Sequence, residues 1–95
     1  MSSTPWFVYL IRTHKGMLYC GVTIDVCRRF EEHQYSKKGA KYLKGKGPLT
    51  LAWSQQVNCK RDAMRFEYFI KKRLTKAQKE NLIQQDISLY SLFSD

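Results

Sequence analysis

The sequence has no run approaching the roughly 18 uncharged apolar residues that a membrane span requires. Nor does it open with a basic segment, an apolar core and a small-residue cleavage site, the marks of a secretory leader. A cytoplasmic protein with no membrane partner is therefore expected. Cysteine is scarce: Cys20, Cys27 and Cys59 are odd in number and never spaced C-x-x-C, which suits neither a disulfide framework nor a zinc site. Reduced thiols acting as small hydrophobes are expected instead. Acid is the third shortage, with 8 Asp and Glu against 17 Lys and Arg and a net charge of +9. A chain of 95 residues has no room for two cores, which excludes a multidomain enzyme and predicts one domain over residues 1–95. Its 43% hydrophobic and 14% aromatic content excludes a disordered chain.

The basic excess is concentrated in two blocks. Residues 35–46 hold five lysines and no acid, residues 60–79 hold eight bases against two acids, and residues 80–95 are net acidic. Such a surface attracts polyanions and gains from counterion release at phosphates, so nucleic acid is the leading partner and an anionic membrane surface the weaker one.

Two apolar runs, WFVYLI at 6–11 and MLYCGV at 17–22, flank THKG and predict a β-hairpin. Asp25 is a plausible N-cap for a helix over 26–35, with Val26, Cys27 and Phe30 on its apolar side. Residues 36–48 contain four glycines or prolines and five lysines and predict a mobile basic loop. A third strand is expected at 49–57. A helix at 61–73 follows from the spacing of Ala63, Phe66, Ile70 and Leu74. Thr75 and Gln78 form a capping-box pattern that starts a third helix to about 85, and the apolar tail from Ser88 should dock as a last turn. The order β-β-α-β-α-α predicts an α/β (α+β layered) domain, a small three-stranded sheet flanked by helices.

Several polar residues do not fit plain packing. Arg29 and His33 lie on the flank of the first helix's apolar side, where their stems would snorkel over the sheet edge with heads in water. Glu67 falls within about 40° of Ala63 and about 20° of Leu74 at ~100° per residue, so a carboxylate faces the packed side. Burial of an unpaired carboxylate costs several kcal/mol, so a cation must lie beside it. That cation is either Arg29, in a structural salt bridge, or a divalent metal completed by water and phosphate. Alternation places Phe7, Tyr9 and Ile11 on one sheet face with Tyr19 and Gly21, making Tyr9 and Tyr19 neighbours across the ladder. A glycine inside a strand, here Gly21, marks a bulge or the close approach of another backbone.

The triplets Val8-Tyr9-Leu10 and Tyr19-Cys20-Gly21, followed by Thr23, Arg29, His33 and a helical Glu67, resemble the motifs of the GIY-YIG nuclease superfamily. The resemblance spans roughly residues 5–74. It extends to the GAKYLKGKGPL loop and the E-x-x-x-K-x-x-L-T-K-x-Q-K ending, both similar to the small stand-alone bacterial YhbQ-like members. It implies an antiparallel three-stranded sheet of the GIY-YIG endonuclease type and a phosphodiesterase dependent on a single divalent metal, Mg²⁺ or Mn²⁺. Tyr9 and Tyr19 correspond to the motif tyrosines, one of which accepts or relays the proton of the attacking water. Arg29 corresponds to the catalytic arginine, whose planar fork suits a pentacovalent phosphate. His33 would orient Tyr9 or contact a phosphate, and Glu67 corresponds to the sole protein ligand of the metal.

Lys37, Lys38, Lys41, Lys44 and Lys46, together with Gly21, are the expected nucleic-acid contacts. Trp6, Trp53 and Tyr42 are candidates for stacking on bases, with the two tryptophans better suited to the core. The function these features imply is an endonuclease acting on DNA rather than RNA, selective for structured or single-stranded sites, in repair or recombination. A homodimer or a protein partner would supply target choice. The alternative is a non-catalytic nucleic-acid-binding module or RNA-processing accessory. Larger family members carry a supporting Asn after the metal glutamate; Asn81 is the one asparagine in that region and comes somewhat later in the chain.

Overall fold

Residues 4–93 are described in a computed structural model of the chain. Strand β1 (Trp6–Arg12) forms an antiparallel hairpin with β2 (Leu18–Thr23), closed by a turn in which Gly16 takes a positive φ of 86°. Helix α1 (Val26–Tyr35) follows, started by Asp25, whose carboxylate accepts from the Arg28 N–H at 3.1 Å. After a basic loop with one 3₁₀ turn (Lys41–Leu43), β3 (Thr50–Val57) pairs antiparallel with the opposite edge of β1, giving the order β2-β1-β3. Helix α2 (Lys60–Arg73), helix α3 (Lys76–Gln85) and the short α4 (Leu89–Leu92) complete the chain. The Thr75–Gln78 capping box that starts α3 is formed in both directions, which satisfies two otherwise orphaned N–H groups.

The central strand divides its side chains between two cores, as alternation requires. Val8 and Leu10 face α2, α3 and α4, where they meet Cys20, Trp53, Val57, Ala63, Phe66, Ile70, Leu82 and Leu89. Tyr9 and Ile11 face the other way, toward Leu43 and Leu49, with Tyr19, Phe30 and Ala40 packed against them. Trp53 belongs to the first core, its indole N–H donating to Asp86 at 3.2 Å. The α/β layered architecture expected from the sequence is the one observed, with the sheet sandwiched between α1 and the basic loop on one face and α2 to α4 on the other.

The basic segment 36–48 departs from the expectation of a plain mobile loop. Leu43 is 2% exposed in the second core. Gln34 of α1 holds the loop's far end by a reciprocal pair: its side chain accepts from the Leu49 N–H at 3.0 Å and donates to the Leu49 carbonyl at 3.2 Å. The physical reason is the single leucine, which anchors a segment whose other residues are mostly polar.

Candidate active site

The register pairs Tyr9 with Gly21 and Ile11 with Tyr19, so both tyrosines project from the same sheet face, displaced along the ladder. Tyr9 is 3% exposed, and its ring crosses Gly21 so closely that a Cβ there would sit 2.4 Å from the phenol oxygen and 2.5 Å from Cζ. Gly21 therefore answers to the approach of a side chain, not of a second backbone. The space above it, expected for nucleic acid, is filled by Tyr9. The sheet's register shift falls between Leu10 and Ile11 opposite β3 rather than at the glycine.

His33 lies over the two tyrosines, its ring centroid 5.8 Å from that of Tyr9 and 5.6 Å from that of Tyr19. It is 7% exposed and the one buried residue of α1, whereas Cys27 is exposed. This corrects the expectation that His33 snorkels into water and that Cys27 packs inward. The reason lies outside the helix: both ring nitrogens find partners, Nε2 at 2.7 Å from the Tyr9 hydroxyl and Nδ1 at 2.9 Å from the Ala40 N–H. An amide N–H is always a donor, so Nδ1 must be bare. The neutral imidazole then carries its proton on Nε2 and donates it to the Tyr9 oxygen.

Protonating the ring would place an N–H against the Ala40 N–H. Burial, reinforced by the Arg29 charge, pushes the His33 pKa down to about 4. Tyr9 is pushed up to about 12, chiefly by burial and then by Tyr19, with Arg29 acting in the opposite direction. At neutral pH both partners are uncharged. The Ala40 contact depends on Gly39, where a Cβ would lie 2.6 Å from the His33 Cα and 2.7 Å from the Glu32 carbonyl oxygen.

Arg29 is held at the rim of this cluster. Its guanidinium donates to Glu32 at 2.8 Å and to the Lys38 carbonyl at 2.9 Å, tying α1 to the loop. Glu32 holds the Arg29 pKa above its usual value, and Arg29 holds the Glu32 carboxyl below the usual range.

Glu67 is not paired with Arg29, which corrects one of the two alternatives left open by the sequence. Its partner is Lys71, one turn later, at 3.3 Å. The Lys71 ammonium also lies 5.5 Å from the centre of the Tyr19 ring, which brings the Glu67 end of α2 to the β2 edge of the tyrosine cluster. The Glu67 side chain is 19% exposed. Among the described residues no group of three or more His, Cys, Asp or Glu is gathered for a metal. A lone, partly buried carboxylate beside an open strand edge fits a Mg²⁺-type ion that keeps water and phosphate as its other ligands, and does not fit a zinc cage.

The basic loop reaches the site through an aromatic stack that the sequence did not assign to it. Tyr42 stacks on Tyr19 with centroids 5.8 Å apart and planes 19° from parallel, and Lys46 caps Tyr42 at 3.5 Å. Lys37, Lys38, Lys41 and Lys44 are exposed along the same segment. Among the residues missed, Ala40 gives no sequence signal because its backbone does the work. Lys71 had one: it stands at i+4 from Glu67. Asn81 is exposed on α3.

The sequence profile described as the GIY-YIG catalytic domain matches residues 5–81. A UPF0213 protein of Vibrio parahaemolyticus is 60% identical over 79 residues, covering 83% of this chain and 73% of its own. The UPF0213 protein YhbQ of Escherichia coli is 53% identical over 91 residues, 96% of this chain and 89% of its own. Among solved structures, the solution NMR structure of a UPF0213 protein of Bacillus halodurans is 37% identical, with a TM-score of 0.56 over 95% of this chain and 94% of that one. The family consists of nucleases, bears on nucleic acid as partner and generally uses a divalent metal. No helix among the described residues is long and apolar enough to cross a membrane. A catalytic-domain profile along most of the sequence, joined to relatives more than half identical over nearly all of it, makes this chain a member of the GIY-YIG nuclease family, in its UPF0213 branch.

Proposed function

We propose that the protein is a divalent-metal-dependent endonuclease that hydrolyses phosphodiester bonds in DNA at structured or single-stranded sites, serving repair or recombination. The observation that carries this reading is the buried Tyr9–His33 pair, set beside Tyr19 and Arg29 on one sheet face. A solvated tyrosine and histidine need no explanation. A pair sunk in the fold, with partners on both imidazole nitrogens, holds the ring in one tautomer and fixes where its proton lies.

The division of labour follows from the hydrogen bonds. Because His33 donates to the Tyr9 oxygen, the phenol's own O–H is left to point elsewhere, toward an attacking water or a phosphate. His33 cannot take the Tyr9 proton, since its Nε2 is already protonated and its Nδ1 is covered by Ala40. Instead its Nε2–H stabilises the Tyr9 phenolate that forms when that proton passes to solvent water, and the phenolate then takes the proton of the attacking water as its oxygen bonds to phosphorus. Arg29, whose charge already opposes the burial of Tyr9, faces the phosphoryl group and stabilises its added charge. Glu67 would hold the divalent ion, which when bound polarises the phosphoryl oxygen and stabilises the departing oxygen. The loop lysines contact the backbone without reading sequence, and a homodimer or a protein partner supplies target choice.

One observation favours the second reading, a nucleic-acid-binding module or RNA-processing accessory with little turnover. Lys71 already neutralises Glu67, so the fold does not need an ion there. The deciding experiment is cleavage of labelled DNA and RNA duplexes, flaps, junctions and single strands with Mg²⁺ or Mn²⁺, with Glu67→Ala purified in parallel. Cutting by the wild type only, with binding retained in the variant, is expected. Binding by both proteins with cutting by neither identifies the module.

A further inference from the structure

Helix α2 carries Glu67 and Lys71 and also most of the rest of the second basic block, which the site described above does not use. Ala63, Phe66 and Ile70 turn into the core. On the other side, starting from Glu67, a sector of roughly 160° at about 100° per residue runs through Met64, Tyr68, Arg61, Lys72 and Arg65, all exposed and with no acid among them. Arg61, Arg65, Tyr68 and Lys72 follow one another at intervals of four, three and four residues, which lines them along the helix axis over ~16 Å. Asp62, the other acid of α2, lies off this sector and accepts a hydrogen bond from the Tyr90 hydroxyl at 2.6 Å.

Cations this close on a helix repel one another, and none of Arg61, Arg65 and Lys72 forms an ion pair among the described residues. Two apolar groups stand in their midst: Tyr68 is 54% exposed and Met64 47%. Among the described residues Tyr68 meets one neighbouring ring, Phe69, with centroids 6.1 Å apart and planes 71° from parallel, and more than half of its surface is left to solvent. A charged row alone suits any polyanion. Cations that alternate with an open aromatic ring suit a strand offering both phosphates and unpaired bases.

We infer that this face of α2 is a second nucleic-acid contact surface, which binds a single-stranded segment by phosphate contacts to Arg61, Arg65 and Lys72 and by stacking of a base on Tyr68. This deepens the proposed function and rests on its claim that the chain engages nucleic acid. With the lysine loop on the opposite side of the Tyr19 and Glu67 edge, the surface lets one strand be gripped on both sides of the candidate site.

The test is fluorescence anisotropy with a labelled single-stranded DNA oligonucleotide and the duplex of the same sequence, across salt concentrations and with EDTA present, so that cleavage plays no part. Each neutralised phosphate contributes about 0.7 to the salt slope of single-strand binding. The triple variant Arg61→Gln, Arg65→Gln, Lys72→Gln should therefore lower that slope by about 2. Tyr68→Ala should weaken single-strand binding about tenfold and leave duplex binding unchanged. All four residues are exposed, and circular dichroism checks that the variants stay folded. A wild-type slope in the triple variant, or equal loss on both probes in Tyr68→Ala, overturns the assignment to α2. If Lys37→Gln, Lys38→Gln, Lys44→Gln lowers the slope while the α2 triple does not, nucleic-acid binding stands and only this surface falls. Absence of wild-type binding to either probe overturns both.

Discussion

The two faces of the sheet are built for different purposes. Toward α2, α3 and α4 the buried cluster is apolar almost without exception, and even Cys20, its one ionisable member among the described residues, has its thiol pushed up to about 12 by burial. Toward α1 and the loop the apolar cluster is small, and it shares its space with a tyrosine and a histidine that burial should expel. The contrast shows how a chain of this size tolerates reactive groups in its interior. Cohesion is concentrated on one face, and polar burial, satisfied bond by bond, is confined to the other.

The largest effect expected from breaking this division is at Ile70, wholly buried in the apolar face. Ile70→Ala should destabilise the fold by about 2–5 kcal/mol. Leu43→Ala, in the loop's 3₁₀ turn, should fall near the lower end of that range, because a thin layer can settle into the void. Urea titration measures both, and equal costs would mean that the two faces share stability evenly.

Gly21→Ala comes next. The added methyl drives the Tyr9 ring off His33, so a cost of about 1–3 kcal/mol should come with loss of the cleavage proposed above in a protein that is still folded. The Tyr9 and His33 ring resonances, followed by NMR, should shift together.

A third effect is one of pH. An unfolded histidine titrates near 6.5, but folded His33 titrates at about 4. Between those values the unfolded chain binds the proton first, so the stabilisation is intact above about pH 6.5 and is lost as pH falls toward about 4. At the alkaline end the sign reverses: Tyr9 is held protonated up to about 12, so stability falls as pH rises from 10 toward that value. Urea midpoints should follow this dome, and His33→Asn should flatten its acid side after the carboxylates common to both proteins are subtracted. The smallest effect should come from the forked Arg12–Glu80 pair, whose second contact is 2.8 Å. Both side chains are about one-third exposed, and Arg12→Ala should cost less than about 1 kcal/mol.

What was legible in the sequence was whatever depends on neighbours along the chain. The alternation of β1, the Asp25 cap, the Thr75 capping box and the three- and four-residue spacing in α2 each follow from a few adjacent residues, and each is in place. Tyr9 and Tyr19 also lie on one face of the sheet, as alternation suggests. What stayed hidden depends on partners brought from elsewhere. His33 is buried because a loop amide seven residues later reaches its ring, a fact that no helical wheel contains. Tyr42 reaches Tyr19 only after Leu43 has pulled the loop down. The partner of Glu67 was within reach at i+4, but the alternatives weighed were a divalent metal and the more distant Arg29, whose own acid proved to be Glu32, three residues along.

The contact between Ala40 and His33 has an evolutionary consequence. Its donor is a main-chain amide, which nineteen of the twenty amino acids possess, so the bond itself sets no demand on the side chain at position 40, whose size is limited by its packing against the second core. Proline is the exception, and the Ala40 φ of −62° is one that proline adopts without strain. Ala40→Pro therefore removes the amide hydrogen while sparing the local backbone angle. Selection falls instead on the neighbour, where any side chain larger than hydrogen would meet the Cα of His33. The protonation state of a buried histidine thus depends on a glycine whose missing side chain would strike the helix backbone.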